Sequence, residues 1–216
     1  MTNWSNNVRN LERCLSNLSV RDGTLNSLEP DEAFGEVSER VEAIRKSRRT
    51  LYLIGNGASA SMASHISADL AKNAHVHTQV FSDLSLITAI ANDMGYKNVF
   101  SEPLRRRMKP GDMLLAISSS GESPNILHAV HTAQELGGHV TTLSAMKRDN
   151  SLSRMGTINF YVPADTYGLA ESCHAAILHH MVDLLAATAR ERPSIRRDAP
   201  IPIDRAMQDN QWINIG

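Results

Sequence analysis

Four serines and a glycine carry the clearest chemistry in this chain. The stretch Ile117-Ser118-Ser119-Ser120-Gly121-Glu122-Ser123-Pro124-Asn125 places Ser118, Ser119, Ser120 and Ser123 between an apolar run and a helix signal. Serine hydroxyls are compact hydrogen-bond donors. A helix N-terminus adds unpaired N–H groups and the positive end of a dipole. Gly121 permits a tight turn, Ser123 suits an N-cap, and Pro124 suits the first helical position. Such a junction can surround a phosphate with no Lys or Arg. A second junction, Gly55-Asn56-Gly57-Ala58-Ser59, has the same strand–turn–helix context. It lacks the third glycine of a dinucleotide fingerprint and the lysine of a P-loop. It predicts a backbone that closely approaches a polar ligand.

His65 and Asp69 stand four apart on a predicted helix and so share a face. Imidazole with carboxylate suits zinc or another first-row divalent ion. A second set lies near the end of the chain, at Glu171, His174 and His179. Glu171 and His179 are separated by about 12 Å of helix rise and meet at one ion only by leaning together. His174, three residues after Glu171, fits a shared face more easily. His75, His77, His128, His131 and His139 read as ordinary surface or strand residues.

These groups need elements to hold them. Residues 3–20 show helical spacing (Val8, Leu11, Cys14, Leu15, Leu18), 21–29 read as a loop, and 30–49 form a second amphipathic helix. Apolar runs at 51–54, 76–81, 113–117, 139–143 and 158–162 predict strands. Between and after them, 59–73, 83–91, 123–136 and 168–189 predict helices, with a break at 92–95 and Gly137-Gly138 as a C-cap signal. Strands alternating with helices predict an α/β fold: a five-stranded parallel sheet sandwiched by helices, Rossmann-like and three-layered. The expected organisation is N-terminal helices over 1–49 packing on the core or on another copy, a domain over 50–189, and an extended tail over 190–216. Trp4 and Trp212 read as packing anchors.

Bulk composition narrows the partners. The chain has 216 residues, 42% of them hydrophobic, with 22 basic and 23 acidic side chains. That near-neutral balance supplies no field for nucleic acid or an anionic membrane. Cys14 and Cys173 form no metal or disulfide spacing, which predicts a reducing, cytoplasmic setting. The N-terminal stretch lacks the apolar core of a signal peptide, and no apolar run reaches about 18 residues.

At GNGASASMASHISADL (55–70), ANDMGYKNVF (91–100), LLAISSSGESPNILHAV (114–130) and ESCHAAILHH (171–180) the sequence resembles the sugar isomerase (SIS) family, in its phosphoheptose isomerase branch. The likeness runs from about residue 5 to 190. It implies an SIS domain, a homotetramer with sites where subunits meet, and conversion of sedoheptulose 7-phosphate to a heptose 7-phosphate. By position, Asn56, Gly57 and Ala58, with Ser59 beside them, would touch the sugar, and Asn92 and Asp93 would line the pocket. Ser118, Ser119, Ser120 and Ser123 would hold the phosphate. His65, Asp69, Glu171 and His179 fall where the family places zinc ligands, so the resemblance favours His179 where local spacing favours His174. Asp69 and Glu171 also fall among the substrate contacts.

The implied reaction is aldose–ketose isomerisation through an enediol, with Asp69 as candidate base and His179 as candidate acid. A metal-bound Asp69 would be a poor base, so those two roles compete. The chain departs from the family pattern at several pocket positions. It has Asp69 where Glu is usual, Glu171 where Gln is usual, Gly168 for an Asp, Ala58 for a Gly, and Lys72-Asn73 for Gly-Arg. Those departures keep open a second expectation, a non-catalytic SIS module that binds a phosphosugar or a replication-initiator protein.

Overall fold

The computed structural model describes residues 3–190. The expected tail, with Trp212, lies outside the described residues. In chain order the elements are α1 (Trp4–Ser16), β1 (Ser19–Asp22), β2 (Ser27–Leu28), α2 (Pro30–Ser47), β3 (Leu51–Gly55), α3 (Ala58–Ala74), β4 (Thr78–Val80) and α4 (Leu84–Met94). There follow α5 (Ser101–Arg107), β5 (Met113–Ser118), α6 (Pro124–Glu135), β6 (His139–Ser144), β7 (Ile158–Tyr161) and α7 (Tyr167–Arg190).

The strands form one sheet in the order β2-β1-β7-β6-β5-β3-β4. The five strands β4, β3, β5, β6 and β7 pair in parallel, as the alternating pattern predicts. The sheet is wider than expected, because β1 joins β7 antiparallel and β2 joins β1. Residues 17–29 therefore form an edge hairpin where a helix end and a loop were expected. Asp22 closes it: its Oδ1 accepts from the N–H groups of Thr24 and Asn26 at 2.8 and 2.9 Å. Such side-chain acceptors offer the backbone a turn in place of helix. α4 also runs on to Met94, so Asn92 and Asp93 are helical and the break falls at Gly95, with φ +86°. α5 was not expected.

Strand periodicity explains the two cores. In β3, Leu51 and Leu53 face one layer while Tyr52 and Ile54 face the other. In β5, Met113, Leu115 and Ile117 alternate in the same way with Leu114 and Ala116. All of these are at most 4% exposed, so both faces of the central strands are covered. Each of the Leu, Ile and Met side chains contributes roughly 1.5–3 kcal/mol on burial. α2, α3 and α7 cover one face; α4, α5 and α6 cover the other. α1 packs on α7 and leaves Trp4 76% exposed, so Trp4 anchors nothing among the described residues. No helix among the described residues is long and apolar enough to cross a membrane.

Candidate active site

The chain reverses direction across the sheet between β3 and β5. From β3 it steps outward to β4, then returns to the other side of β3 to form β5, β6 and β7. Ligands in open α/β sheets sit in the crevice that this reversal opens at the carboxyl ends of the strands. Both sequence-predicted junctions lie at that crevice, one after β3 and one after β5. A larger groove of about 450 Å3, beside Glu36, Arg40 and His139, lies at the amino ends of the strands, away from it.

The serine turn is built tightly. The Gly121 N–H donates to the Ser118 carbonyl at 3.0 Å and to its Oγ at 3.2 Å. Ser118 Oγ donates to Ser123 Oγ at 3.3 Å. Ser118 and Ser119 are buried, each 5% exposed, whereas Ser120 and Ser123 are half-buried. Ser123 is the N-cap residue of α6 and Pro124 follows it, but the Ser123 hydroxyl caps no helix N–H. The N–H groups of Ser119, Ser120, Ser123 and Asn125 have no acceptor among the described residues. Several donors thus converge on one polar turn at a helix N-terminus, the arrangement that favours an anion.

Glu122 points away from these donors. Its carboxylate accepts from the Ser151 N–H and Oγ, each at 2.8 Å, and these bonds hold its pKa below the usual carboxylate range. Gly121 sits at φ +65°, and a Cβ there would collide with the Asn150 side chain. Asn150 cannot easily yield: it is 1% exposed, and its Nδ2 donates to Ser144 Oγ and to the Ala145 and Lys147 carbonyls. Gly121→Ala is therefore expected to cost about 2 kcal/mol or more, combining left-handed strain with overpacking. Urea denaturation of variant and wild type checks this, and equal midpoints would refute it.

The β3 loop mirrors this design. Gly57 stands at φ +54° and ψ −125°, a conformation that favours glycine, and precedes α3 with no side-chain cap. The N–H groups of Gly57 and Ala58 have no acceptor among the described residues. Ser59 is buried, and a Cβ on Gly55 would lie 2.6 Å from its backbone, so the loop packs flush on α3. A cavity of about 240 Å3 opens beside Asn56 and Gly57, walled by Phe81, Ile87, Tyr96 and Phe100. Asn92 and Asp93 do not line it; they are exposed on α4 and hydrogen-bond each other at 2.8 Å.

The third group lies on α3 and α7. His65, Asp69 and His179 each bring a ligand atom within 4.8 Å of the others. His65 Nε2 is 3.4 Å from Asp69 Oδ2, and Lys72 Nζ is 3.6 Å from Asp69 Oδ1. The rings of His65 and His179 meet edge to face at 5.3 Å. The geometry separates the alternatives on α7. His179 faces α3, while His174 is 0% exposed in the apolar core, with neither ring nitrogen hydrogen-bonded. Burial drives the His174 pKa down to about 4; the nearby Ser144 backbone opposes this only weakly. Glu171, half-buried, does not join the cluster. Two imidazoles, one carboxylate and an open side match the donor set of a three-ligand zinc site.

Asn125 and Tyr96 are members of this region that residue types alone did not single out. Asn125 ended the serine stretch and Tyr96 lay within the 91–100 stretch, but neither received a role from the sequence.

Comparison with known proteins agrees with this geometry. The SIS domain model matches residues 28–145. A phosphoheptose isomerase of Sulfurimonas denitrificans is 34% identical over 157 residues, covering 69% of this chain and 80% of that protein. One from Coxiella burnetii is 36% identical over 139 residues, covering 61% and 70%. Among solved structures, a phosphoheptose isomerase from Neisseria gonorrhoeae superimposes with a TM-score of 0.72 at 25% identity, covering 84% of this chain and 94% of that one.

Proposed function

Because this chain belongs to the SIS family, in its phosphoheptose isomerase branch, we propose that it isomerises sedoheptulose 7-phosphate to D-glycero-heptose 7-phosphate. The observation that carries this reading is the pair of unsatisfied, donor-rich turns at the β3/β5 crevice of that fold. The turn of Ser118, Ser119, Ser120 and Ser123 takes the phosphate. Asn56, Gly57 and Ala58 meet the sugar, and Ser59 seats their loop on α3.

The proton-moving groups are Asp69 and His179. The base takes the proton from C1, next to the carbonyl, while the acid protonates the carbonyl oxygen at C2. The resulting enediol then loses its O1 proton and regains a proton at C2, so one proton has moved between the carbons and one between the oxygens. His65 and Lys72 flank the two Asp69 oxygens and orient the carboxylate. His65, Asp69 and His179 would hold zinc, which supplies Lewis-acid polarisation of a carbonyl oxygen when bound. A carboxylate shared with an ion is a weaker base, so the same three residues can serve either role at one time.

The spacing along α3 also supports an assembly. His65 and Asp69 lie about 12 and 18 Å along the helix from Gly57. That separation makes a complete site easiest to build from more than one copy, with Glu171 and the exposed Asn92 and Asp93 lining it from neighbouring elements. A homotetramer would also cover Trp4 and Val8 on α1. Light scattering is expected to give four times the chain mass.

The test of function is direct. Purified protein with sedoheptulose 7-phosphate is expected to produce the aldose, followed by proton NMR of its anomeric signal. No exchange with any C5–C7 sugar phosphate, with or without zinc, would overturn the reading.

A further inference from the structure

A reciprocal amide pair bridges the two turns. Asn56 Nδ2 donates to Asn125 Oδ1 at 3.0 Å, and Asn125 Nδ2 donates to Asn56 Oδ1 at 2.9 Å. Asn56 follows β3, and Asn125 is the second residue of α6, on the opposite face of the sheet. Asn125 is 2% exposed, and its Oδ1 also accepts from the Ile126 N–H at 3.1 Å. Tyr96 Oη donates to Asn56 Oδ1 at 3.4 Å. The bridge therefore spans the crevice at its reversal point and joins the proposed sugar loop to the proposed phosphate turn.

Two matched amide hydrogen bonds impose a distance and an orientation, because each side chain supplies both a donor and an acceptor. Burial strengthens such a pair and makes a lone partner costly. Neither of the two loops is otherwise tied to the other by a side chain among the described residues.

We infer that Asn125 is a positioning residue: through Asn56 it sets the spacing between the phosphate seat and the loop that meets the sugar. Its side chain bonds to Asn56 and the Ile126 N–H, not to Asp69 or His179. The inference rests on the phosphosugar reading above, and it deepens it by naming what holds the two half-sites in register. Without the bridge, phosphate still seats on the serine turn, but the sugar end loses its fixed place.

The experiment uses the full-length protein and the variants Asn125→Ala, Asn56→Ala and their double. Five quantities are read: affinity for inorganic phosphate and for sedoheptulose 7-phosphate by calorimetry, kcat and KM, and the melting temperature. Because misplacement by about 1 Å can cost on the order of 100-fold, Asn125→Ala is expected to lose roughly 30-fold in kcat, and Asn56→Ala, which also loses a proposed sugar contact, at least as much. The double variant is expected to lose no more than about threefold beyond Asn56→Ala, since the bridge is already broken in that single variant. Phosphate affinity is expected to stay within about threefold while sugar-phosphate affinity drops about tenfold, the split expected when only one half-site moves. Asn125→Thr keeps about the volume and the neutral charge but is too short to make the paired amide bonds. It is expected to show the same split and serves if the alanine variant does not fold.

Additive losses in the double variant would overturn the inference. So would a phosphate affinity that falls in step with kcat, which makes Asn125 a direct phosphate contact. A lower melting temperature with unchanged kcat would reduce the pair to a structural clasp and also overturn it. The two binding measurements need no turnover, so they decide the role of Asn125 even if the wild-type protein fails to isomerise the ketose.

Discussion

Asp69→Asn is expected to lower kcat for the heptose isomerisation by about 1,000-fold, within the range that general acid–base groups contribute. The substitution keeps the size of the side chain and its place beside His65. It replaces the basic carboxylate with a non-basic amide, whose NH2 takes the place of one of the two oxygens that now lie 3.4 Å from His65 Nε2 and 3.6 Å from Lys72 Nζ. KM is expected to change by less than about fivefold, because the proposed phosphate seat is the turn after β5 and not α3. Asp69→Glu restores the residue usual in the family and adds one methylene of reach. It is expected to retain at least about a tenth of wild-type kcat, since the carboxylate survives and α3 leaves it half-open to adjust. Steady-state kinetics of both variants decide the matter. An Asp69→Asn enzyme with more than a tenth of wild-type kcat would remove Asp69 from the proton transfer and leave it a positioning or metal-holding group.

The second large effect is on stability. His174 is buried without a hydrogen-bond partner among the described residues, and burial lowers its pKa from 6.5 to about 4. In the unfolded chain the same imidazole protonates near its ordinary value. Between those two values the unfolded state binds a proton that the folded state refuses, so stability falls as pH falls from about 6.5 to about 4. Above that window the penalty is absent. The full loss amounts to about 3 kcal/mol by linkage. His174→Leu removes the titration and fills a similar volume with apolar atoms. It is expected to match or exceed wild-type stability at pH 7, because no satisfied hydrogen bond is lost. It is also expected to flatten the pH dependence across the window. Urea unfolding at pH 7, 6, 5 and 4 measures both. A variant with the same acid slope as wild type would show that other groups carry the acid sensitivity.

The central strands were legible because burial on both faces leaves continuous apolar runs, as at 51–54 and 113–117. The serine turn was legible because Gly, Ser and Pro each have a local conformational role at a strand–helix junction. Ser123 and Pro124 mark the start of α6 and Gly137 its end, where φ is +74°. The edge hairpin was not legible. Ser19-Val20-Arg21-Asp22 has one buried side chain, and only pairing with β7 makes it a strand. Asn92 and Asp93 looked like a breaker, yet apolar packing of Ile90 and the turn at Gly95 keep them helical.

The sequence by itself determined the α/β alternation, the two polar turns and the His65–Asp69 face, because those follow from neighbours within a few residues. Tertiary structure alone decided that His179 joins that face while His174 is sealed in the core and Glu171 stays apart. The rotation of α7 against α3 chooses among them, and helical spacing is blind to it. It also brought Asn56 to Asn125, 69 residues apart, since strand order is set by which faces the whole chain must bury.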